Sequence, residues 1–390
     1  MVDFELSEEQ QGLREVSRNL LADHSASAQV RAAISGADAE AKLWELGTGL
    51  GWTGLAVPEA DGGLGQGVAE LTLVAEELGR AVARGPFLST ALAALAVARY
   101  GQDSLRSLVL PALAEGTARA ALAVAEPGGW FPPTVRLTAN GAAPGTLVLS
   151  GRKTLVADAG TADWLLVTAV ADGEPVLVLV DADEPGIGIR RQEALDLTRN
   201  LYEVTFGDVA VDAARRFSGG AAAAGWLRDA AAVVTAADAL GAGSRLMDLT
   251  VEHAKTRVQF GQPLGAFQAV KHKCADMRLL VTGTRAAVYY AAMALDAAST
   301  GTASTGTAST GSGVCPEEAS EAASTAKAFA SAGMTRLAGE ALQVHGGIGF
   351  TWEHDLHLYL RRIKADEQFY GDAGAHQERL AGFLLARRAG

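Results

Sequence analysis

The run Trp164-Leu165-Leu166-Val167-Thr168-Ala169-Val170, followed after Asp172-Gly173 by Val176-Leu177-Val178-Leu179-Val180, is almost continuously apolar and rich in β-branched residues. Short runs of this kind, bounded by glycine, proline and aspartate, read as buried strands and not as helix faces. Residues 135–137, 146–149 and 204–206 repeat the texture, all within 118–211. Regular spacing of short strands predicts a small antiparallel β-barrel or sandwich.

On both sides of this segment the apolar spacing turns helical. Upstream, Ser7 with Glu9 and Gln10 behind it reads as the N-cap of a helix carrying Leu13, Val16, Leu20 and Leu21 at three-to-four spacing. Further helices fit 39–50, 68–78, 88–100 and 103–115, separated by Pro/Gly turns at 58–67 and at Gly85-Pro86. Downstream, long helical patterns over 222–256, 267–298 and 317–344, with shorter pieces to 386, suggest an up-and-down bundle. The predicted class is α+β, with a helical domain at 1–117, a β-barrel domain at 118–215 and a helical bundle at 220–390. Between two bundle helices, 299–313 (STGTASTGTASTGSG) has no apolar anchor to offset its ordering entropy and is expected to be a mobile loop.

Bulk composition excludes several functions. A net charge of -12 argues against nucleic acid or an anionic membrane as the main partner, although Arg257, Lys271 and Lys273 form a local basic cluster. The apolar stretch 91–98 stops at Arg99, short of the roughly 18 residues that a membrane helix needs. Met1 is followed by Asp3, Glu5, Glu8 and Glu9, unlike a secretory leader. The two cysteines, Cys274 and Cys315, offer neither a disulfide framework nor a thiolate metal cluster, and a reducing cytoplasmic setting is expected. His253, His272 and His345 lack ligand spacing, and His354 and His357 read as a polar helix face, so no metal site is expected. There is no Gly-x-Ser-x-Gly elbow and no phosphate loop.

Two C-terminal stretches carry chemistry. They are Arg257-x-Gln259-Phe260-Gly261-Gln262-Pro263-Leu264 with Phe267-Gln268, and Gln343-Val344-His345-Gly346-Gly347-Ile348-Gly349-Phe350. An arginine at a turn between bundle helices can grip a diphosphate bidentately, and paired glycines admit close approach of a ligand to the main chain. With Phe4-Glu5-Leu6-Ser7-Glu8-Glu9-Gln10, Gly51-Trp52-Thr53-Gly54-Leu55, Pro58-Glu59, Gly62-Gly63-Leu64-Gly65 and Glu76-Glu77-Leu78-Gly79-Arg80, they resemble the acyl-CoA dehydrogenase superfamily over nearly the whole chain. The resemblance implies a helical domain, a β-barrel and a four-helix bundle, assembled as a dimer of dimers with FAD across each dimer interface. It further implies an acyl-CoA thioester as substrate and electron-transfer flavoprotein or a similar acceptor. Arg257, Phe260, Gln268, Gln343, Val344, His345, Gly346 and Gly347 would then hold the diphosphate and adenosine of a neighbouring subunit's FAD.

The same comparison shows where the pattern breaks. The family's α,β-dehydrogenation needs a carboxylate to take the α-proton while hydride goes to flavin N5. Its usual glutamate falls on Tyr370 within Phe369-Tyr370-Gly371-Asp372, and a phenol with a pKa near 10 is a poor base at neutral pH. The alternative helix position, twenty-six residues before Arg257, is Ala231. Asp238, about two turns along the same face, and Asp229 remain as displaced candidates. The family's Thr-Glu-Pro is Ala125-Glu126-Pro127, its flavin-flanking Trp and Thr fall on Leu155 and Ala157, and Gly128-Gly129-Trp130-Phe131-Pro132 replaces the following Gly-Ser-Asp.

What survives is the half that a subunit lends to its neighbour. The chain therefore looks like the non-catalytic, FAD-completing partner in actinobacterial α2β2 dehydrogenases of bulky acyl-CoAs, whose ending resembles Tyr370-Gly371-Asp372 with His376 and Arg379. A flavin monooxygenase or oxidase on the same fold, and a flavin-free structural subunit, are the alternatives.

Overall fold

The apolar runs of the middle segment pair into one sheet. In the computed structural model, which describes residues 6–36, 40–139, 145–300 and 314–389, strands β1 (Ala120–Ala123), β2 (Arg136–Ala139), β3 (Thr146–Ala157), β4 (Trp164–Ala171), β5 (Glu174–Asp181), β6 (Ile187–Gln192) and β7 (Leu201–Asp212) are joined in the order β1-β4-β2-β3-β7-β6, with β5 on β4. The two apolar runs around Asp172-Gly173 become the β4–β5 hairpin, registered from Trp164 opposite Asp181 to Ala171 opposite Glu174. Leu165, Val167, Val176, Val178, Leu149, Val156 and Val204 form its buried core.

The sheet is not wholly antiparallel. β1 runs parallel to β4, pairing Ala120 with Trp164 through Ala123 with Val167. Parallel neighbours need a long connection, which the intervening strands and turns from Val124 to Asp163 provide.

The helices before the sheet are α1 (Glu8–His24), α2 (Ser27–Ile34), α3 (Glu40–Gly49), α4 (Val68–Arg80), α5 (Phe87–Tyr100) and α6 (Asp103–Glu115). Ser7 and Gln10 cap α1 reciprocally, Ser7 Oγ accepting from the Gln10 N–H and the Gln10 side chain from the Ser7 N–H. The helix α2 is absent from the sequence expectation, because its Ala26 N-cap makes no side-chain cap bond and its eight residues are too few to show a period. Trp52, Phe87 and Trp44 anchor this region, with Phe87 5.1 Å from Trp52 and 5.0 Å from Trp44 between ring centroids.

After the sheet come α7 (Gly220–Thr256), the two-residue strands β8 (Val258–Gln259) and β9 (Gln262–Pro263), then α8 (Gln268–Thr300), α9 (Pro316–His345), α10 (Leu356–Gln368) and α11 (Ala373–Ala389). Residues 301–313 of the expected mobile segment lie outside the described residues, as do Phe4 and Glu5. Buried on every face from Asp229 to Ser244, α7 is the axis on which α4, α8, α9 and α10 pack. Its contact with α4 is backbone-close. A Cβ on Gly241 would lie 1.8 Å from the Glu76 carbonyl oxygen, and one on Gly79 would lie 1.9 Å from that of Asp238.

Candidate functional site: a half-built cofactor cleft

At the end of α7, Arg257 takes the C-cap, its N–H donating to the His253 carbonyl at 2.9 Å. The chain then reverses through the β8–β9 hairpin, whose tip residues Phe260 and Gly261 have φ of 52° and 79°. A two-residue turn with both φ positive suits the twist of a hairpin. It also turns the Phe260 ring outward, leaving the residue 92% exposed.

The neighbouring helix ends at the same place. The ring of His345, the last residue of α9, stacks on His253 with centroids 4.4 Å apart, and the His354 ring meets His345 edge-on at 4.9 Å. These histidines, which look scattered in the sequence, therefore bind the ends of α7 and α9 side by side. Beyond them the Arg257 turn and the Gly346-Gly347 turn emerge together.

The polar groups around these two turns are unengaged. The side chains of Arg257, Gln268 and Gln343 are exposed and form no hydrogen bond or ion pair among the described residues. A Cβ on Gly346 or Gly347 would meet nothing within 4 Å, so the main chain is open to close approach, and Gly346 holds φ 62°. A free guanidinium, two free amides, an exposed aromatic face and an accessible main chain fit a dinucleotide diphosphate with its adenosine. Val344 and His345 are set apart from this group. Both are buried, and His345 Nδ1 donates to the Ala341 carbonyl at 2.8 Å, so their side chains serve packing. Burial holds the His253 and His345 pKa values below the ordinary histidine range.

The chain matches the model of the acyl-CoA dehydrogenase N-terminal domain over residues 7–117 and that of the acyl-CoA dehydrogenase C-terminal domain over residues 219–385. It is 33% identical over 377 residues to acyl-CoA dehydrogenase IpdE2 of Mycolicibacterium smegmatis, covering 96% of this chain and 98% of the relative. The chain belongs to the acyl-CoA dehydrogenase family. Similar solved structures of the family include a variant of the Tcur3481-Tcur3483 steroid ACAD, at TM-score 0.86 and 31% identity, and the ChsE4-ChsE5 complex from Mycobacterium tuberculosis, at TM-score 0.86 and 28% identity. Each match covers 98% of this chain and 99% of the other.

The other half of an acyl-CoA dehydrogenase site, which grips the flavin ring and carries the base, lacks the family's residues and is narrowed by aromatic packing around Tyr370. Tyr370 follows α10 with φ 58°, and the Trp130 ring lies 4.8 Å from it and 5.1 Å from Phe369. Burial pushes the Tyr370 hydroxyl up to about 12. Trp130 belongs to the turn that replaces the family's Gly-Ser-Asp. That turn is tied down by Glu126, which accepts from the Thr134 and Val135 N–H groups and from Lys153 Nζ at 2.6 Å. Around Ala157, Tyr370 and Asp238 the remaining cavity is about 60 Å³. That is room for a few waters, whereas ligand sites span about 300–1,000 Å³. Tyr370 also lines a second cavity, of about 390 Å³, with Trp130, Phe131, Arg228, His376 and Arg379.

Neither displaced carboxylate is free to act as a base. Asp229 accepts from Arg379 Nη1 at 2.5 Å and Nη2 at 3.0 Å and from Ser320 Oγ at 2.5 Å. Asp238 accepts from Arg362 Nη2 and from Arg199 Nη2, each at 2.7 Å, and Arg199 also pairs with Asp366. Arg362 is buried. Desolvation works against its charge, but Asp238 and Asp196 outweigh it and raise its pKa. Sequence reasoning missed this network. The available signal was the spacing of Leu356, Tyr359 and Ile363, which defines a buried face of α10 that Asp366 continues.

One smaller expectation changes as well. His357 is buried and stacks on Trp352 at 4.8 Å instead of sharing a polar face with His354. No group of three His, Cys, Asp or Glu among the described residues is arranged to hold a metal ion.

Proposed function

We propose that this chain is the cofactor-completing, non-catalytic subunit of a heteromeric acyl-CoA dehydrogenase. It lends Arg257, Phe260, Gln268, Gln343 and the Gly346-Gly347 main chain to the diphosphate and adenosine of a FAD whose ring is held by a related subunit. That FAD, when bound, supplies the hydride acceptor for dehydrogenation of the CH–CH pair of an acyl-CoA thioester. The related subunit carries the base.

One observation carries this reading. The donors of the proposed diphosphate half are unengaged, while Tyr370 stands where the family has its glutamate and Asp229 and Asp238 are held in ion pairs. The similar structures point the same way, since one is titled as a ChsE4-ChsE5 complex and another as a Tcur3481-Tcur3483 steroid ACAD. A bulky, steroid-like acyl-CoA is accordingly the substrate class, with electron-transfer flavoprotein as the acceptor class. No helix among the described residues is long and apolar enough to cross a membrane, and the free cysteines Cys274 and Cys315 fit a reducing cytoplasm.

An exposed apolar face supports the assembly. Leu279, Tyr290 and Met293 lie along one side of α8, with Phe329 of α9 beside them over Gly283. Such a contiguous patch marks an interface.

The test is to count flavin. Co-expressed with a related dehydrogenase chain that has the helix glutamate, the complex is expected to hold one flavin per pair of chains and to reduce an artificial acceptor. Expressed alone, this chain is expected to lack the flavin absorbance bands. A homotetramer with one flavin per chain and activity of its own overturns the proposal. A flavin-free complex favours a structural subunit.

A further inference from the structure

A second polar crevice lies apart from the cofactor cleft. Helix α1 and the turn into α2, the end of α4, the middle of α7 and the start of α10 enclose about 380 Å³, lined by Arg18, Arg80, Arg245, Ser25 and Tyr359 together with Glu77 and Asp355. Its carboxylates are already engaged. Arg18 takes both Glu77 oxygens, through Nε at 2.9 Å and Nη2 at 2.6 Å. Asp355 Oδ1 accepts from Ser27 Oγ at 2.5 Å and from Arg31 Nε and Nη2 at 3.1 and 2.9 Å. Arg80 reaches outward to Asp248, at 2.7 Å.

Arg245 is different. It is half-buried and has no carboxylate partner among the described residues, only a shared hydrogen bond with the Tyr359 hydroxyl. Arg18, Arg31, Arg80 and Arg245 thus face Glu77, Asp248 and Asp355, which leaves one positive charge uncompensated. A half-buried guanidinium without a counter-charge carries an uncompensated desolvation cost. On a chain of net charge -12, this crevice is a local well for anions. Arg80 Nε and Nη1 and Arg18 Nη1 form no hydrogen bond among the described residues, and both side chains line the crevice with Arg245. Several guanidinium forks beside a serine and a tyrosine hydroxyl match a tetrahedral dianion better than a single carboxylate.

We propose that this crevice binds a small phosphate group, as orthophosphate or as a phosphate monoester, with Arg245 as the anchor and Arg18, Arg80 and Tyr359 as further donors. The proposal is independent of the cofactor reading. Arg245 lies twelve residues before Arg257 on one helix, about 18 Å along the axis, so one ligand phosphate cannot serve both.

The experiment titrates orthophosphate, and separately adenosine 5′-monophosphate, into the full chain in the assembly in which it purifies, by calorimetry in phosphate-free buffer. One saturable site per chain is expected. Arg245→Gln, which can still bond to Tyr359, is expected to weaken binding by about tenfold or more while thermal unfolding without phosphate stays unchanged, and Arg245→Lys to weaken it less. Tighter binding of the nucleotide assigns the site to an ester, and tighter binding of orthophosphate to the free ion. Arg257→Ala is expected to leave this binding intact while it lowers flavin retention. The proposal is overturned if wild type shows no saturable uptake, if Arg245→Gln binds as wild type does, or if Arg257→Ala abolishes the uptake.

Discussion

Replacing Asp238 with asparagine separates a structural carboxylate from a catalytic one. Asp238 is fully buried, and Arg362 and Arg199 hold it through contacts of 2.7 Å each, with a further Arg362 contact at 3.2 Å. The amide keeps the volume and one acceptor oxygen but removes the charge, so two arginines are left to share Asp196 and Asp366. Breaking one member of a buried ion pair costs roughly 3–5 kcal/mol. With two acids remaining, the lower end applies, about 3 kcal/mol. An unfolding entropy of about 2.1 cal/mol/K per residue gives about 0.8 kcal/mol/K for 390 residues. The melting temperature should then fall by about 4 °C if the chain unfolds as one unit, and by more if the bundle melts separately. Calorimetry of the assembled complex reads this fall, and turnover per bound flavin is measured on the same preparation. Turnover is expected to stay within about twofold of wild type, because in the proposed heteromer the base lies on the other subunit. A loss of about a hundredfold or more in turnover at unchanged melting temperature would identify Asp238 as the base, because general-base removal has that size, and would refute the reasoning.

Three further perturbations probe other parts of the argument. Phe260→Ser removes a ring that is 92% exposed, so folding stability should shift by no more than about 0.5 kcal/mol. Flavin retention in the co-expressed complex should nevertheless fall, as read by flavin fluorescence in the filtrate. Leu279→Glu places a charge on the exposed α8 face and is expected to split the tetramer into dimers in light scattering, with each chain still folded. His376 is buried, and desolvation, with Lys327 nearby, pushes its pKa down to about 4. The unfolded chain, titrating near 6.5, takes up the proton first, so stability falls as pH drops from about 6.5 through 4, by roughly 3 kcal/mol in full. Asp158 and Asp296, raised to about 6 by burial, act in the opposite sense as pH falls from about 6 to 4. The check is therefore the difference between wild type and His376→Gln in melting temperature against pH, which should vanish above pH 7 apart from a constant offset.

Most of the fold was legible because its signals are local. The β4–β5 hairpin announces itself by two apolar runs around Asp172-Gly173, and Ser7 and Gln10 mark the start of α1 by a cap that needs no tertiary contact. The parallel pairing of β1 with β4 was not legible, since strand direction depends on which distant segments meet and a four-residue apolar run is the same either way. The short helix α2 is held from outside, by Arg31 and Ser27 on Asp355, and so carries little signal of its own.

The two halves of the proposed cofactor site differ in the same manner. Arg257, Phe260, Gln268, Gln343, Gly346 and Gly347 sit in two turns at the ends of adjoining helices, so each stretch brings its functional residues together by itself. The ion-pair network of the other half is assembled from Asp196, Thr198 and Arg199 before β7, Asp238 in the middle of α7, and Arg362 and Asp366 on α10. No spacing rule connects those segments. Physical necessity does connect them, once the region is seen to be buried. Buried charges must be compensated within the fold, and here Asp238 and Asp366 are paired with arginines from other elements. The replacement of the family's base by Tyr370 can be read along the chain, whereas the Arg199–Asp238–Arg362 network becomes visible only once the chain is folded.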